Sequence, residues 1–392
     1  MADNLKILIA DNNGTYRAFL SKVVAQTAGA EVADTASDGR MAVAKLRTKT
    51  VDLILLEMGL PFMDGLKILE HVRECHPRVG VVIVSAAGSD DKARIIQALQ
   101  MGALDFISKS DLEVSDDGAL VLRRRLMALM GLFRARRGAS LVKSLSSERS
   151  SATNIPLTQE AQKPAQPAQA PPTKMGQPEV GVPKPMITNS KVQVVALGVS
   201  TGGPNALAQL IPLLPGDLGV PLLLVQHMPA GMTASLADSL NRKSALPVRE
   251  AVDGEEVLPD RAYLAPGGKH MIVTREKTAG ASYGSKRIRL TSGPPVNSCR
   301  PSADVLFQTV AEVYDGTILA VLMTGMGNDG TEGVRALKRK GCYCLAQTQE
   351  TCVVYGMPRS VIEAGLSDEQ VDLDHMAQRI TKLIRERDQG MK

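Results

Sequence analysis

Ser200, His227 and Asp329 each follow a short apolar run: GVSTGGP comes after VQVVAL, QHMP after LLLV, and TGMGNDG after ILAVLM. A hydroxyl, an imidazole and a carboxylate are what acyl transfer needs: a nucleophile, a base to take its proton, and an acid to hold the imidazole in one tautomer. Taken singly, each has a plainer reading, Ser200 as a turn residue, His227 as a loop histidine and Asp329 as a helix cap. The glycine-rich corner at Ser200 also resembles a phosphate cradle, because small residues let backbone N–H groups approach an anion at a helix N-terminus. That reading leaves His227 and Asp329 without a role. The corner also lacks the G-x-G-x-x-G spacing and the lysine of a P-loop. Two competitors stay open, His270 in APGGKH as the base and Asp304 in RPSAD as the acid, although neither directly ends a buried-looking strand. The chain order Ser, His, Asp differs from the Ser, Asp, His order of α/β-hydrolases, so G-x-S-x-G does not assign that fold.

For three such distant residues to meet, successive strands must run parallel and open at one edge, where a doubly wound sheet gathers its ligands. Apolar runs predict strands at Val192 to Leu197, Leu222 to Val225 and Ile318 to Met323. Helical patterns lie between and after them, at Asn205 to Leu214, Thr233 to Asn241, Gly333 to Lys340 and Asp374 to Glu386. The same alternation fills Lys6 to about Arg137, with strands at Ile7 to Ala10, Val51 to Leu56 and Val79 to Val84 in a five-unit βα pattern. Near-continuous Val/Ile/Leu runs suit sheets covered on both faces. The expected class is α/β: a flavodoxin-like five-stranded doubly wound parallel sheet, then a second doubly wound, mostly parallel α/β unit. From Ser144 to Asn189 the chain is rich in Ser, Gln, Ala and Pro and reads as a flexible linker. The expected division is 1–137, 138–189 and 190–392.

Composition excludes several classes. Over 392 residues, 44% hydrophobic and 22% charged residues are ordinary for a globular protein. No apolar run approaches the roughly 18 to 20 residues of a spanning helix, so no membrane insertion is expected, and cytoplasmic residence is. Cys75, Cys299, Cys342, Cys344 and Cys352 form no Cys-x-x-Cys pair, which reads as reduced thiols without zinc. The formal charge of +5 is mild. The basic runs Arg123-Arg124-Arg125 and Arg134 to Arg137 read as a solvated face, or as contact with an acidic partner. Nucleic acid is not expected, because no helix-turn-helix reader follows the linker.

The segments GVSTGGP, VQHMP, YLAPGGKHM, PPVNSCRPSADVLF, MTGMGNDG and CVVYGMPRSVIEAG resemble the chemotaxis protein-glutamate methylesterase (CheB) family over essentially all of the chain after the linker. The resemblance implies a Ser200, His227, Asp329 triad, no cofactor for catalysis, and the γ-methyl ester of glutamate on the cytoplasmic signalling domains of chemoreceptors as substrate. Deamidation of glutamine at the same sites is implied as well. Backbone N–H groups of the Gly325-Met326-Gly327 turn, with Thr201, are candidates for the oxyanion, and the resemblance selects Met326. The contrasting expectation is a non-catalytic scaffold that keeps the crevice.

The front half resembles a two-component receiver, with a chemotaxis histidine kinase as candidate partner. Its pocket positions fall at Asp11, Asn12, Glu57, Ser85 and Lys109. Glu57 stands where the family has a phospho-accepting aspartate, and its extra methylene moves the carboxylate out of in-line geometry. Asn12 replaces a metal-binding acid, which lowers the expected affinity for Mg²⁺. Ser110 replaces the proline after Lys109. Two readings follow: Glu57 pairs with Lys109 and imitates the phosphorylated state, or the domain is a docking or inhibitory module.

Overall fold

Five strands open the chain: β1 (Leu5–Ala10), β2 (Ala30–Ala36), β3 (Leu53–Leu56), β4 (Gly80–Ser85) and β5 (Asp105–Ser108). They belong to a computed structural model that describes residues 4–86, 91–110, 112, 115–127, 129–131, 191–276 and 284–389. The strands pair in parallel in the order β2-β1-β3-β4-β5, the flavodoxin-like arrangement the pattern predicts. Every residue of β3 and β4 is buried, as a sheet covered on both faces demands. Helices α1 (Gly14–Ala25), α2 (Gly39–Thr48) and α3 (Gly65–Cys75) begin on Asn13, Asp38 and Asp64, whose side chains accept first-turn N–H groups. Helix α4 (Asp91–Gln100) precedes β5, and α5 covers 116–127. The expected linker and Arg134 to Arg137 lie outside the described residues.

The second unit contributes β6 (Val192–Val199), β7 (Leu222–Gln226), β8 (Val248–Glu250), β9 (Ala262–Leu264), β12 (Thr317–Leu322), β13 (Tyr343–Gln347) and β14 (Glu369–Val371). All pair in parallel, in the order β14-β13-β12-β6-β7-β9-β8. Helices α6 (Gly203–Leu210), α7 (Met232–Asn241), α8 (Ala303–Val313), α9 (Thr331–Lys338), α10 (Met357–Glu363) and α11 (Leu373–Gln389) complete it. The strand period of two is visible in the packing. Leu197, Leu222, Leu224, Leu319 and Val321 join one core with α6, α7 and α11, whereas Val194, Ala196, Leu223, Val225, Ala320 and Leu322 join Leu306, Phe307 and Val310 of α8 on the other face. Each such fully buried aliphatic side chain contributes roughly 1.5 to 3 kcal/mol, so this double-faced sheet is a firm base for the loops above it.

Two expectations need correction. The helix expected over Asn205 to Leu214 stops at Leu210, and Ile211–Leu213 is a 3-10 turn. Pro212 explains this, because its ring cannot sit against a preceding helical carbonyl. The pattern also gave no sign of the antiparallel hairpin β10 (His270–Glu276) and β11 (Ser285–Thr291), which lies outside the main sheet and rests on α8 through Val273 N and Thr309 Oγ1 at 3.2 Å.

Candidate active site

Strands β6 and β7 are paired up to Val199 and Gln226, so Ser200 and His227 are the next residues on adjacent strands, which lie about 4.8 Å apart. His227 N donates to Val199 O at 3.2 Å. Asp329 reaches the same edge from the turn after β12, the strand on the other side of β6. Each of the three stands just before a helix that begins on a left-handed glycine: Gly202 (φ 79°) for α6, Gly231 (φ 77°) for α7 and Gly330 (φ 94°) for α9. Glycine is required at Gly202, where a Cβ would also meet Val353 Cβ at 2.5 Å. None of these helices has a side-chain N-cap; Gly203 N, Met232 N and Thr331 N instead donate to backbone carbonyls three residues earlier, and Gly333 N donates to Asp304.

The corner at Ser200 is braced by polar side chains. Gln226, 2% exposed, donates Nε2 to Ser200 O at 2.9 Å and to His227 O at 3.2 Å. Ser200 N donates to Thr324 O at 2.9 Å, and Thr324 Oγ1 donates to Thr201 O at 2.9 Å while accepting Val353 N and Val354 N. Gln347 Oε1 in turn accepts Thr324 N at 2.8 Å. Sequence reading missed these supports, although Gln226 and Gln347 are single polar residues closing the apolar runs LLLVQ and YCLAQ.

His227 Nε2 lies 2.8 Å from Asp329 Oδ2, and His227 Nδ1 lies 3.4 Å from Cys299 Sγ. Burial alone would push the imidazolium down, but its hydrogen bonds to Asp329 and Cys299 outweigh that and lift it to about 9. Burial would likewise raise Asp329; the His227, Ser302 and Asn297 hydrogen bonds reverse this and bring it to about 2. In the imidazolium both ring nitrogens donate, Nε2 to the carboxylate and Nδ1 to sulfur. Losing the Nδ1 proton leaves a lone pair at the nitrogen that Cys299 Sγ adjoins. The Ser200 hydroxyl makes no hydrogen bond to the ring among the described residues.

Of the competitors, His270 is buried with Nε2 on Pro294 O at 3.0 Å, and Asp304 is bound to Asn297 and Gly333 N rather than to an imidazole. At the oxyanion candidates, Gly325 N is committed to Val354 O at 2.9 Å, whereas the N–H groups of Thr201 and Met326 have no acceptor among the described residues. Met326 is partly exposed and Thr201 is buried.

In the front unit Lys109 Nζ lies 2.8 Å from Asp11 Oδ2 and pairs closely with Glu57 Oε2, so the expected Glu57–Lys109 contact is present. Burial would lower the Lys109 ammonium; the hydrogen bonds to Asp11 and Glu57 raise it instead. Glu57 Oε1 accepts Met58 N at 2.9 Å, Asp11 Oδ1 accepts Asn13 N at 2.8 Å, and Asn12 turns outward to Gly59 O. Ser85 Oγ faces Asp91 at 3.4 Å rather than Glu57. These residues fit Mg²⁺ poorly: the two carboxylates are already held by one ammonium, and an amide stands in the third place.

The two units touch. Asn205 Nδ2 donates to Gln100 O at 2.8 Å, and Gln100 Oε1 accepts Ser239 Oγ at 3.0 Å and Lys243 Nζ at 2.8 Å. Helix α4 thereby meets α6 and α7, and Val353 beside Gly202 packs against the apolar core of the front unit.

A receiver-type α/β sheet joined to a parallel α/β unit with serine, histidine and aspartate at one edge defines a receiver-coupled hydrolase-like class. The CheB methylesterase family model matches residues 195–380, and the response regulator receiver domain model matches residues 7–114. A protein-glutamate methylesterase/protein-glutamine glutaminase of Desulfotalea psychrophila is 39% identical over 382 residues, covering 97% of this chain and 99% of the relative. Its counterpart in Treponema denticola is 34% identical over 384 residues, covering 98% of this chain and 99% of its own. The crystal structure of the Thermotoga maritima CheB methylesterase catalytic domain is 41% identical, covering 49% of this chain and 98% of that one, with a TM-score of 0.46. The chain belongs to the CheB methylesterase family. No helix among the described residues is long and apolar enough to cross a membrane.

Proposed function

We propose that this protein hydrolyses γ-methyl esters of glutamate, and deamidates glutamine, on the cytoplasmic domains of methyl-accepting chemoreceptors. Near-full-length similarity to relatives named for both activities supports the substrate. The observation that carries the chemistry is the 2.8 Å contact of His227 Nε2 with Asp329 Oδ2 beside the strand end that bears Ser200. In this reading His227 Nδ1 takes the Ser200 proton as the serine oxygen attacks the ester carbonyl. The oxyanion is held by the N–H groups of Met326 and Thr201, each worth about 2.7 to 4 kcal/mol by analogy with other oxyanion holes. His227 returns the proton to the departing methoxide, methanol leaves, and water attacks the glutamyl-enzyme with His227 again as base. Asp329 stays ionised throughout and stabilises the imidazolium.

The receiver reading that accompanies this is regulation without phosphoryl transfer. The ion cluster of Lys109 with Glu57 and Asp11 supports it, since the lysine that would read a phosphoryl group is already neutralised by a resident carboxylate. A histidine kinase would then serve only as a docking partner. The division into 1–137, 138–189 and 190–392 belongs to the same reading.

The test is methanol release from methylated receptor fragments by the full chain. The parent protein releases methanol, and Ser200→Ala loses at least about a thousandfold of that rate. Retention of the parent rate by Ser200→Ala excludes the scheme.

A further inference from the structure

The tight turn Val296-Asn297-Ser298-Cys299 lies beside the histidine–aspartate pair, with Asn297 and Ser298 both left-handed (φ 52° and 62°). Two backbone bonds close it, Val296 N to Cys299 O at 3.0 Å and Cys299 N to Val296 O at 2.8 Å. Asparagine tolerates such backbone better than most residues. The turn stands at the exposed rim of the crevice, yet the Asn297 amide is turned inward. Its Nδ2 donates to two carboxylates at once, to Asp304 Oδ2 at 2.8 Å and to Asp329 Oδ1 at 2.9 Å. Those carboxylates are 4% and 2% exposed. An unbridged pair of like charges at such depth would be costly.

Asp329 Oδ1 also accepts Ser302 Oγ at 2.7 Å, from a serine with no exposed surface that caps α8 by accepting Val305 N. The other oxygen, Oδ2, takes Ala303 N at 2.6 Å and His227 Nε2. The carboxylate is therefore divided. One oxygen is clamped by two side-chain donors, and the other is shared between the first turn of α8 and the imidazole. Rotation of the carboxylate about its last bond, which would carry Oδ2 off the ring, breaks the bonds to Ser302 and Asn297.

We infer that Asn297 and Ser302 are positioning residues: by fixing Oδ1 of Asp329 they hold Oδ2 on His227, and the Asn297 amide also keeps Asp304 from competing for that site. Neither touches substrate, and both act through Asp329. The inference rests on the proposed esterase chemistry for its kinetic consequence, but not for its structural one.

The experiment is therefore double. In full-length protein labelled at histidine nitrogens, the His227 resonances are titrated in the parent, Ser302→Ala, Asn297→Gly and Asn297→Asp. Glycine at 297 removes the amide without straining the left-handed backbone. The groups facing the ring are Asp329 and Cys299, with Asp304 behind the carboxylate. With the clamp removed, Oδ2 of Asp329 swings off the ring and the imidazolium loses its partner, so the His227 titration moves downward in Ser302→Ala and Asn297→Gly; an upward shift in both, the mark of a carboxylate still seated on the ring, overturns the inference. In Asn297→Asp a third carboxylate is added and opposes that loss, so its His227 titration lies above that of Asn297→Gly by about one pH unit. Methanol release by the same proteins falls about tenfold in kcat for Ser302→Ala and Asn297→Gly, with little change in KM. A His227 titration unmoved in all three variants overturns the inference. Loss of rate matched only by loss of thermal stability, with the titration in place, overturns it too. Should Ser302→Ala fail to fold, the two variants at the exposed position 297 decide the matter. The titration reads the clamp even if methyl esters are not the substrate, so its failure and that of the esterase reading are told apart by whether the parent releases methanol.

Discussion

Cys299 Sγ lies 3.4 Å from His227 Nδ1, on the edge of the ring away from Asp329. The nitrogen that must accept a serine proton thus rests against a thiol, and that contact is among the causes lifting His227 to about 9, against an ordinary value of 6.5. The base works only once Nδ1 has lost its proton, so the acid limb of the rate profile is expected well above pH 6.5. Cys299→Ala withdraws one partner of the charged ring. The limb then moves to lower pH, by on the order of half a unit, and kcat/KM measured below the limb rises in proportion. A pH profile of methanol release checks this, and a limb that stays or moves upward contradicts it.

Asp329 offers a sharper case because its partners are almost all donors. Asn in its place turns an NH₂ group toward Ala303 N, Ser302 Oγ or Asn297 Nδ2, leaving at least one buried donor facing another. Each buried group left unsatisfied costs about 1 to 3 kcal/mol, and the imidazole loses the partner that fixes its tautomer. Asp329→Asn is expected to lower kcat by about four orders of magnitude and to lower the thermal midpoint by several degrees. A variant with the lowered midpoint but near-parent kcat would remove Asp329 from the chemistry.

The strand ends were legible because buried parallel strands leave near-continuous apolar runs: Ser200 and His227 directly follow one, and Asp329 lies in the loop that follows another. The receiver-like sheet was legible for the same reason. What stayed hidden was support that comes from far along the chain. Nothing local to NSCRPSAD announces that Asn297 and Ser302 bind Asp329, 32 and 27 positions away, because a tertiary bond leaves no period in the sequence. The hairpin β10–β11 was hidden differently: its strands are mostly half-exposed, so they lack the hydrophobic contrast on which pattern reading depends.

Lys109 is the only cation paired with the two pocket carboxylates among the described residues, and all three side chains are almost fully buried. Removing one partner from a buried cluster leaves uncompensated charge, typically at about 3 to 5 kcal/mol. Lys109→Met is expected to destabilise the front unit by that amount, read as a shift of its urea midpoint. The same geometry predicts that the parent takes up no stable label from a small radioactive phosphodonor with Mg²⁺, since Glu57 is already bound to Lys109 and Met58 N. Label that is acquired by the parent and lost in Glu57→Gln would show that phosphoryl transfer survives.

Gln100 ends α4 and reaches across to the second unit, where its Oε1 accepts both Ser239 Oγ and Lys243 Nζ from the α7 region. Because Val353 both adjoins Gly202 and packs on the front unit's core, contact between the units bears on the entrance beside Ser200. Gln100→Ala deletes two hydrogen bonds and leaves the backbone bond to Asn205 in place. At about 1 kcal/mol apiece net, the contact weakens roughly thirtyfold. Methanol release by full-length Gln100→Ala should then exceed the parent rate several-fold, with amide exchange in α4 and α7 accelerated together. Faster exchange without a faster rate would mean that the contact holds the units together without restricting entry to the crevice.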